Sequence, residues 1–171
     1  RRQRQMCIRD ISESPEEEVI NMFRLIQSIS AEAKALSTKN HIVDVQAAND
    51  LNILGSEEEI RSALSNLVSN AVRYSPNGGT ISIKWTLVDN EPVFSCQDQG
   101  VGVAPEHLSR LTERFYRVDK SRSQETGGTG LGLAIVKHIV NRHNAKLKIT
   151  SEPNKGSQFS IQFSKDAIVS Q

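Results

Sequence analysis

A chain of 171 residues, 37% hydrophobic and 24% charged, is long enough to bury the core of one ordinary globular domain. A formal charge of +1 provides no global attraction to nucleic acid or to an anionic membrane, which argues against both as partners. Two cysteines, Cys7 and Cys96, are too few for a disulfide framework and lack zinc-ligand spacing, so they point to a reducing, cytoplasmic setting.

The opening "RRQRQMCIRD" is basic and has neither helical nor strand period. Residues 1–14 therefore stand outside the expected fold, as a non-native start on a gene fragment or as a short basic linker. Ser14 and Pro15, followed by Glu16, Glu17 and Glu18, read as a cap, a first-turn proline and acids at the positive end of a helix. They predict a helix over about 15–37, with Val19, Met22, Phe23, Ile26, Ile29, Ala33 and Leu36 as its apolar stripe. "HIVDVQAA" and "LNILG", joined through Asn49 and Asp50, read as a β-hairpin.

Ser56 then caps a second helix, with Glu59 three residues on in the capping-box position. Its apolar face is Ile60, Ala63, Leu64, Leu67, Val68, Ala71 and Val72, and "SPNGG" stops it. "TISIKWTLV" and "PVFSCQ" form two strands turning at 89–91. A short helix near 105–110, a polar stretch, a helix over about 131–143, and strands "KLKIT" and "SQFSIQF" complete the pattern. Apolar runs such as "LGLAIV" at 131–136 fall far short of the roughly 20 residues a membrane-spanning helix requires. Hairpin-joined strands with few long helices predict an α+β, two-layer sandwich: one mixed, mostly antiparallel sheet with helices on one face. The domain should span 15–165, leaving 166–171 as a tail.

Within the second helix, Asn66, Asn70 and Arg73 fall at i, i+4 and i+7 and share a face distinct from the apolar one. An asparagine carbonyl suits magnesium without adding negative charge, an arginine supplies fixed positive charge to phosphate, and the adjacent Tyr74 offers a ring for a base. "DQGVG" places Asp98 at a strand end, able to accept from an exocyclic amine, with Gly100 and Gly102 permitting tight turns. "GGTGLGLAIVKHIV" runs glycines straight into a helix N-terminus, whose bare amides make an anion site. It lacks the Lys-Ser/Thr of a P-loop and the spacing of a dinucleotide fingerprint.

Asn66xxxAsn70, Asp98xGlyxGly, "ERFYRVD" and Gly128xGlyxGly, in this order, resemble the boxes of the histidine-kinase catalytic and ATP-binding domain, a family shared with Hsp90, gyrase B and MutL. Within it, the run "PEHLSRLTERFYRVDKSRSQETGGTGLGLAIVKHIV" looks most like the phosphate-regulon sensor kinases. The resemblance implies ATP and magnesium as cofactors, with Asn66 and Asn70 at the metal and phosphates, Arg73 on phosphate and Tyr74 near adenine. It further implies that Asp98 reads the adenine amino group beside Gly100 and Gly102. Phe115 and Arg117 would lie in the phenylalanine box, and Gly128, Thr129, Gly130, Leu131 and Gly132 at the glycine box. A lid over about 110–126, carrying Arg110, Arg114, Arg117, Lys120 and Arg122, would order over triphosphate. Gln99 stands where asparagine is usual.

Hydrolytic relatives hold a glutamate where this chain has Asn66, and an amide cannot take a proton from water, so hydrolysis should be slow. None of His41, His107, His138 and His143 has the context of a phosphoacceptor. His143 reads instead as a residue near a helix C-terminus, where positive charge is favourable. The acceptor histidine, on dimerising helices, is thus expected outside this chain, with a response-regulator receiver domain downstream and a sensor anchored in the bacterial inner membrane. The fragment itself is expected to be soluble, monomeric and free of membrane contact. An anti-sigma-type serine kinase and a non-catalytic nucleotide-binding module are the competing readings. The "ERFYRVD" box disfavours the first and intact Asn70, Asp98 and glycines disfavour the second.

Overall fold

The computed structural model describes residues 16–118 and 130–169. The basic start, the Ser14–Pro15 cap, the later part of the expected lid, and Gly128 and Thr129 lie outside the described residues. In chain order the elements are β1 (Glu18–Ile20), α1 (Met22–Leu36), β2 (His41–Ala47), β3 (Asn52–Gly55), α2 (Glu57–Arg73), β4 (Gly79–Val88) and β5 (Glu91–Gln97). Then come α3 (Pro105–Leu108), α4 (Gly132–Arg142), β6 (Lys146–Glu152), β7 (Gly156–Gln162), a 3-10 turn (Lys165–Ala167) and β8 (Ile168–Val169).

Five strands form the main sheet in the order β2-β4-β5-β7-β6. All its pairings are antiparallel except β2 with β4, which makes the sheet mixed. Along β4, Ile81, Ile83 and Trp85 are buried while Lys84 and Thr86 are exposed, so one sheet face meets the helices and the other meets water. Ile26 and Ile29 of α1, Leu64 and Leu67 of α2, and Val136 and Val140 of α4 close over Phe94, Phe159 and Ile161. Each such large apolar side chain contributes about 1.5–3 kcal/mol of transfer free energy. Trp85 also donates its indole Nε1–H to the Leu51 carbonyl at 2.8 Å and meets Phe163 edge-on. This is the expected two-layer sandwich.

Three expectations are corrected. The first helix begins at Met22, capped by the Asn21 side chain, which accepts from Arg24 N–H at 3.0 Å. Residues 18–20 are a strand, because pairing with β3 takes Ile20 fully out of solvent, a gain that outweighs the helix-start signal of the three glutamates. β2 and β3 do not form a hairpin. β2 runs parallel to β4, a pairing that needs a long crossover, and α2 supplies it. β3 instead joins β1 and β8 in a small second sheet, so residues 168–169, read as tail, are a paired strand.

The other turns follow local chemistry. Asp89 and Asn90, both at positive φ (52° and 64°), make the two-residue hairpin between β4 and β5. Ser56 Oγ accepts from Glu59 N–H at 3.4 Å, as a capping box requires. The reciprocal bond is absent: Glu59 is drawn to Arg142, 3.1 Å away, and Ser56 N–H donates to His143 Nε2 at 3.1 Å instead.

Candidate nucleotide-binding site

α2 presents Asn66, Asn70 and Arg73 on its half-buried flank while Ile60, Ala63, Leu64, Leu67, Val68 and Ala71 face the core. Asn66 Nδ2–H donates to the Ser62 carbonyl at 2.8 Å, which fixes the amide and leaves its Oδ1 as the outward acceptor. Arg73 reaches Asn70 Oδ1 at 3.4 Å. Tyr74, 43% exposed, ends the helix, and its carbonyl accepts from Val101 N–H at 3.0 Å. That bond ties the end of α2 to the "DQGVG" loop.

In that loop Asp98 is only 4% exposed, and its Oδ1 accepts from Gly100 N–H at 2.9 Å. Burial pushes its carboxyl above the ordinary carboxylate range, against the pull of the Gly100 and Ser157 amides. The glycines are sterically required. A Cβ on Gly100 would lie 2.0 Å from the Tyr74 carbonyl oxygen, and one on Gly102 (φ +65°) would lie 2.0 Å from the Glu152 oxygen. Gln99, in place of asparagine, accepts from Thr80 N–H at 2.9 Å and so anchors the loop to β4.

Gly130 and Gly132 lead into α4, with Leu131 between them. The Gly130 carbonyl accepts from Phe115 N–H at 2.9 Å. Phe115 sits at φ +63° and is 70% exposed, so its ring is not part of the packed core. A Cβ on Gly132 would come 2.8 Å from Asn66 Oδ1, which places the start of α4 directly against the asparagine face. Arg117 stands half-exposed in the segment after Phe115. Contacts thus link Asn66 to Gly132, Tyr74 to Gly100 and Val101, and Phe115 to Gly130.

The sequence reading missed two contributors. Gly156 (φ +111°) carries no Cβ where one would lie 2.0 Å from the Asp98 carbonyl oxygen. Ser157 exchanges backbone contacts with Asp98, accepting its N–H at 2.9 Å. The signal was the turn "PNKGS", legible as a turn but not as a neighbour of Asp98.

His143 caps the C-terminus of α4, as its position near the end of that helix suggests; its Nε2 accepts from Ser56 N–H and its Nδ1 lies 2.8 Å from the Ile139 carbonyl. An open groove of about 220 Å³ between α1 and α2 reaches Ser62, Asn66 and Ser69 but none of Asp98, Gly100 or Gly132. It meets the candidate site only at Asn66. Among the described residues no group of three or more His, Cys, Asp or Glu is placed to hold a metal, and no helix is long and apolar enough to cross a membrane.

Comparisons with known proteins agree in direction. The phosphate regulon sensor protein PhoR of Pseudomonas aeruginosa is 55% identical over 140 residues, covering 81% of this chain and 32% of that protein. The sensor-like histidine kinase SenX3 of Mycobacterium tuberculosis is 41% identical over 135 residues, covering 79% and 33%. The chain therefore spans about a third of the curated relatives it matches. Among solved structures, the mycobacterial sensor histidine kinase MprB superposes with a TM-score of 0.75 at 24% identity, covering 86% of this chain and 96% of that one. ShkA, solved full-length in complex with AMPPNP, gives 0.78 at 22% identity, covering 93% and 32%; both likenesses concern the fold. Residues 55–167 match the family described as "Histidine kinase-, DNA gyrase B-, and HSP90-like ATPase", and by a match over that share of its length the chain belongs to this family.

Proposed function

We propose that this chain is the ATP-binding catalytic domain of a sensor histidine kinase, which positions Mg-ATP for transfer of the γ-phosphoryl group to a histidine outside it. The observation that carries this is the convergence of Asp98, the asparagine face and the glycine-opened start of α4 through the Tyr74–Val101 and Asn66–Gly132 contacts. A buried carboxylate beside glycine turns suits the amino edge of adenine. Asparagine oxygens, an arginine and bare helix amides suit polyphosphate.

Magnesium fits this donor set. Asn66 Oδ1 remains an acceptor because Nδ2 is committed to Ser62, and Asn70 Oδ1 lies along the same flank. Two neutral oxygens match a small cation that takes most of its ligands from phosphate and water. Bound there, it would neutralise phosphate charge. The residues of the chain bind and align: Asp98 fixes the base, Arg73 and the amides near Gly130 and Gly132 hold phosphate oxygens, and Asn66 supplies no base for water. Hydrolysis is accordingly slow, and the phosphoryl group is kept for the acceptor.

The acceptor histidine sits on dimerisation helices of the parent protein, and a response-regulator receiver domain takes the phosphoryl group next. The relatedness to proteins named phosphate regulon sensors supports a role in phosphate-limitation signalling, with a parent anchored in the bacterial inner membrane. Calorimetric titration with ATP, with and without magnesium, tests the reading. Saturable, magnesium-strengthened binding is expected; absence of saturation would refute it.

A further inference from the structure

α2 and α4 lie side by side and antiparallel, and two contacts fix their register. At one end, Gly132 abuts Asn66; at the other, Ser56 and Glu59 meet His143 and Arg142. Ser56 to Asn66 and Gly132 to His143 are nearly equal helical spans, each about 15 Å at 1.5 Å per residue. A slip at the far end is therefore carried to the phosphate-facing end, because helices are stiff along their axes.

Both nitrogens of His143 are committed. Nε2 accepts from Ser56 N–H at 3.1 Å, Nδ1–H donates to Ile139 at 2.8 Å, and the side chain is 5% exposed. Gly55 makes room for the ring: a Cβ there would lie 3.0 Å from His143 Cδ2. Glu59 Oε2 stands 3.8 Å from Nδ1 while its carboxylate pairs with Arg142. The Ser56 N–H thus depends on His143, since the glutamate that would normally accept it is engaged elsewhere.

We propose that His143 is a positioning residue for nucleotide binding. By accepting the Ser56 N–H it locks α2 against α4 and sets the spacing between the asparagine face and the start of α4. The proposal rests on the nucleotide-site reading above.

The test measures Mg-ATP affinity by calorimetry, well below the melting midpoint, for the whole chain and its His143→Gln, His143→Leu and His143→Asn variants. A glutamine carbonyl can reach Ser56 N–H; leucine fills the volume without an acceptor, and asparagine is polar but too short. Affinity within about twofold of the parent is expected for H143Q, and about tenfold weaker affinity for H143L and H143N, the worth of one buried hydrogen bond. If H143L does not fold, the contrast between the glutamine and asparagine variants decides. Parent-like affinity in folded H143L or H143N, whatever their melting temperatures, would show a merely structural histidine and overturn the proposal. So would an H143Q as weak as H143N. Failure of the unsubstituted chain to bind ATP would overturn the nucleotide reading and this proposal together, whereas tight parent binding with indifferent variants removes only this one.

Discussion

The carbonyl oxygen of Tyr74 lies where a Cβ on Gly100 would approach to 2.0 Å, and it accepts the N–H of Val101 at 3.0 Å. The end of the asparagine helix and the loop that carries Asp98 are thereby held in backbone contact. Gly100→Ala must break that contact or move the loop. A loss of about 2–4 kcal/mol in denaturant unfolding is expected, with weakened nucleotide binding. Gly102→Ala, strained at φ +65° and facing the Glu152 oxygen, should behave alike. Parent-like stability of either variant would contradict the geometry.

Gly132→Ala separates stability from binding. Because Gly132 is the first residue of α4 and has an ordinary helical φ, alanine there costs the helix nothing and the melting temperature should change little. Its Cβ, however, would press on Asn66 Oδ1 from 2.8 Å and displace the amide. ATP affinity is expected to fall at least about tenfold while circular dichroism stays native, as read by calorimetry on the same sample.

Asp98→Asn should weaken ATP binding by about tenfold or more, because an amide cannot present two acceptor oxygens to an exocyclic amine and to the loop. Competition titrations against GTP read the same role: the preference for adenine should shrink in the variant. Unchanged affinity and preference would remove Asp98 from base recognition.

Asp98 also predicts a pH dependence of stability. Burial raises its carboxyl in the folded state, so the folded chain holds the proton more tightly than the unfolded one. Its contribution is fully present below the unfolded carboxylate value near 4 and is lost as pH rises through the raised folded value. Guanidinium unfolding of the parent and of Asp98→Asn across that range should show the variant gaining relative to the parent as pH rises. A constant difference would refute the assignment.

Trp85 is the sole tryptophan and reports on the core. Trp85→Phe removes the donor to the Leu51 carbonyl and leaves a void beside Phe163. Destabilisation of about 2–4 kcal/mol is expected by circular dichroism during chemical unfolding.

Much of this was legible in the linear chain. Ser56 before the apolar period of α2, the Asp89–Asn90 turn, and the glycines ahead of α4 are local signals, and each element formed where its own residues specify it. The asparagine face follows from helical spacing alone, since i, i+4 and i+7 share a side whatever packs nearby. Tertiary structure decided what depends on distant partners. Residues 18–20 left the helix for a strand because β3 offered Ile20 a buried pairing, and β2 abandoned its neighbour for β4 because α2 bridged the crossover. His143 became the acceptor for a backbone N–H because Ser56, distant in sequence, points at its ring, and Glu59 left its own cap for Arg142. Short-range propensity is written residue by residue, whereas pairing, register and the hydrogen-bond partners of a buried ring are set by groups that only the folded chain brings within reach.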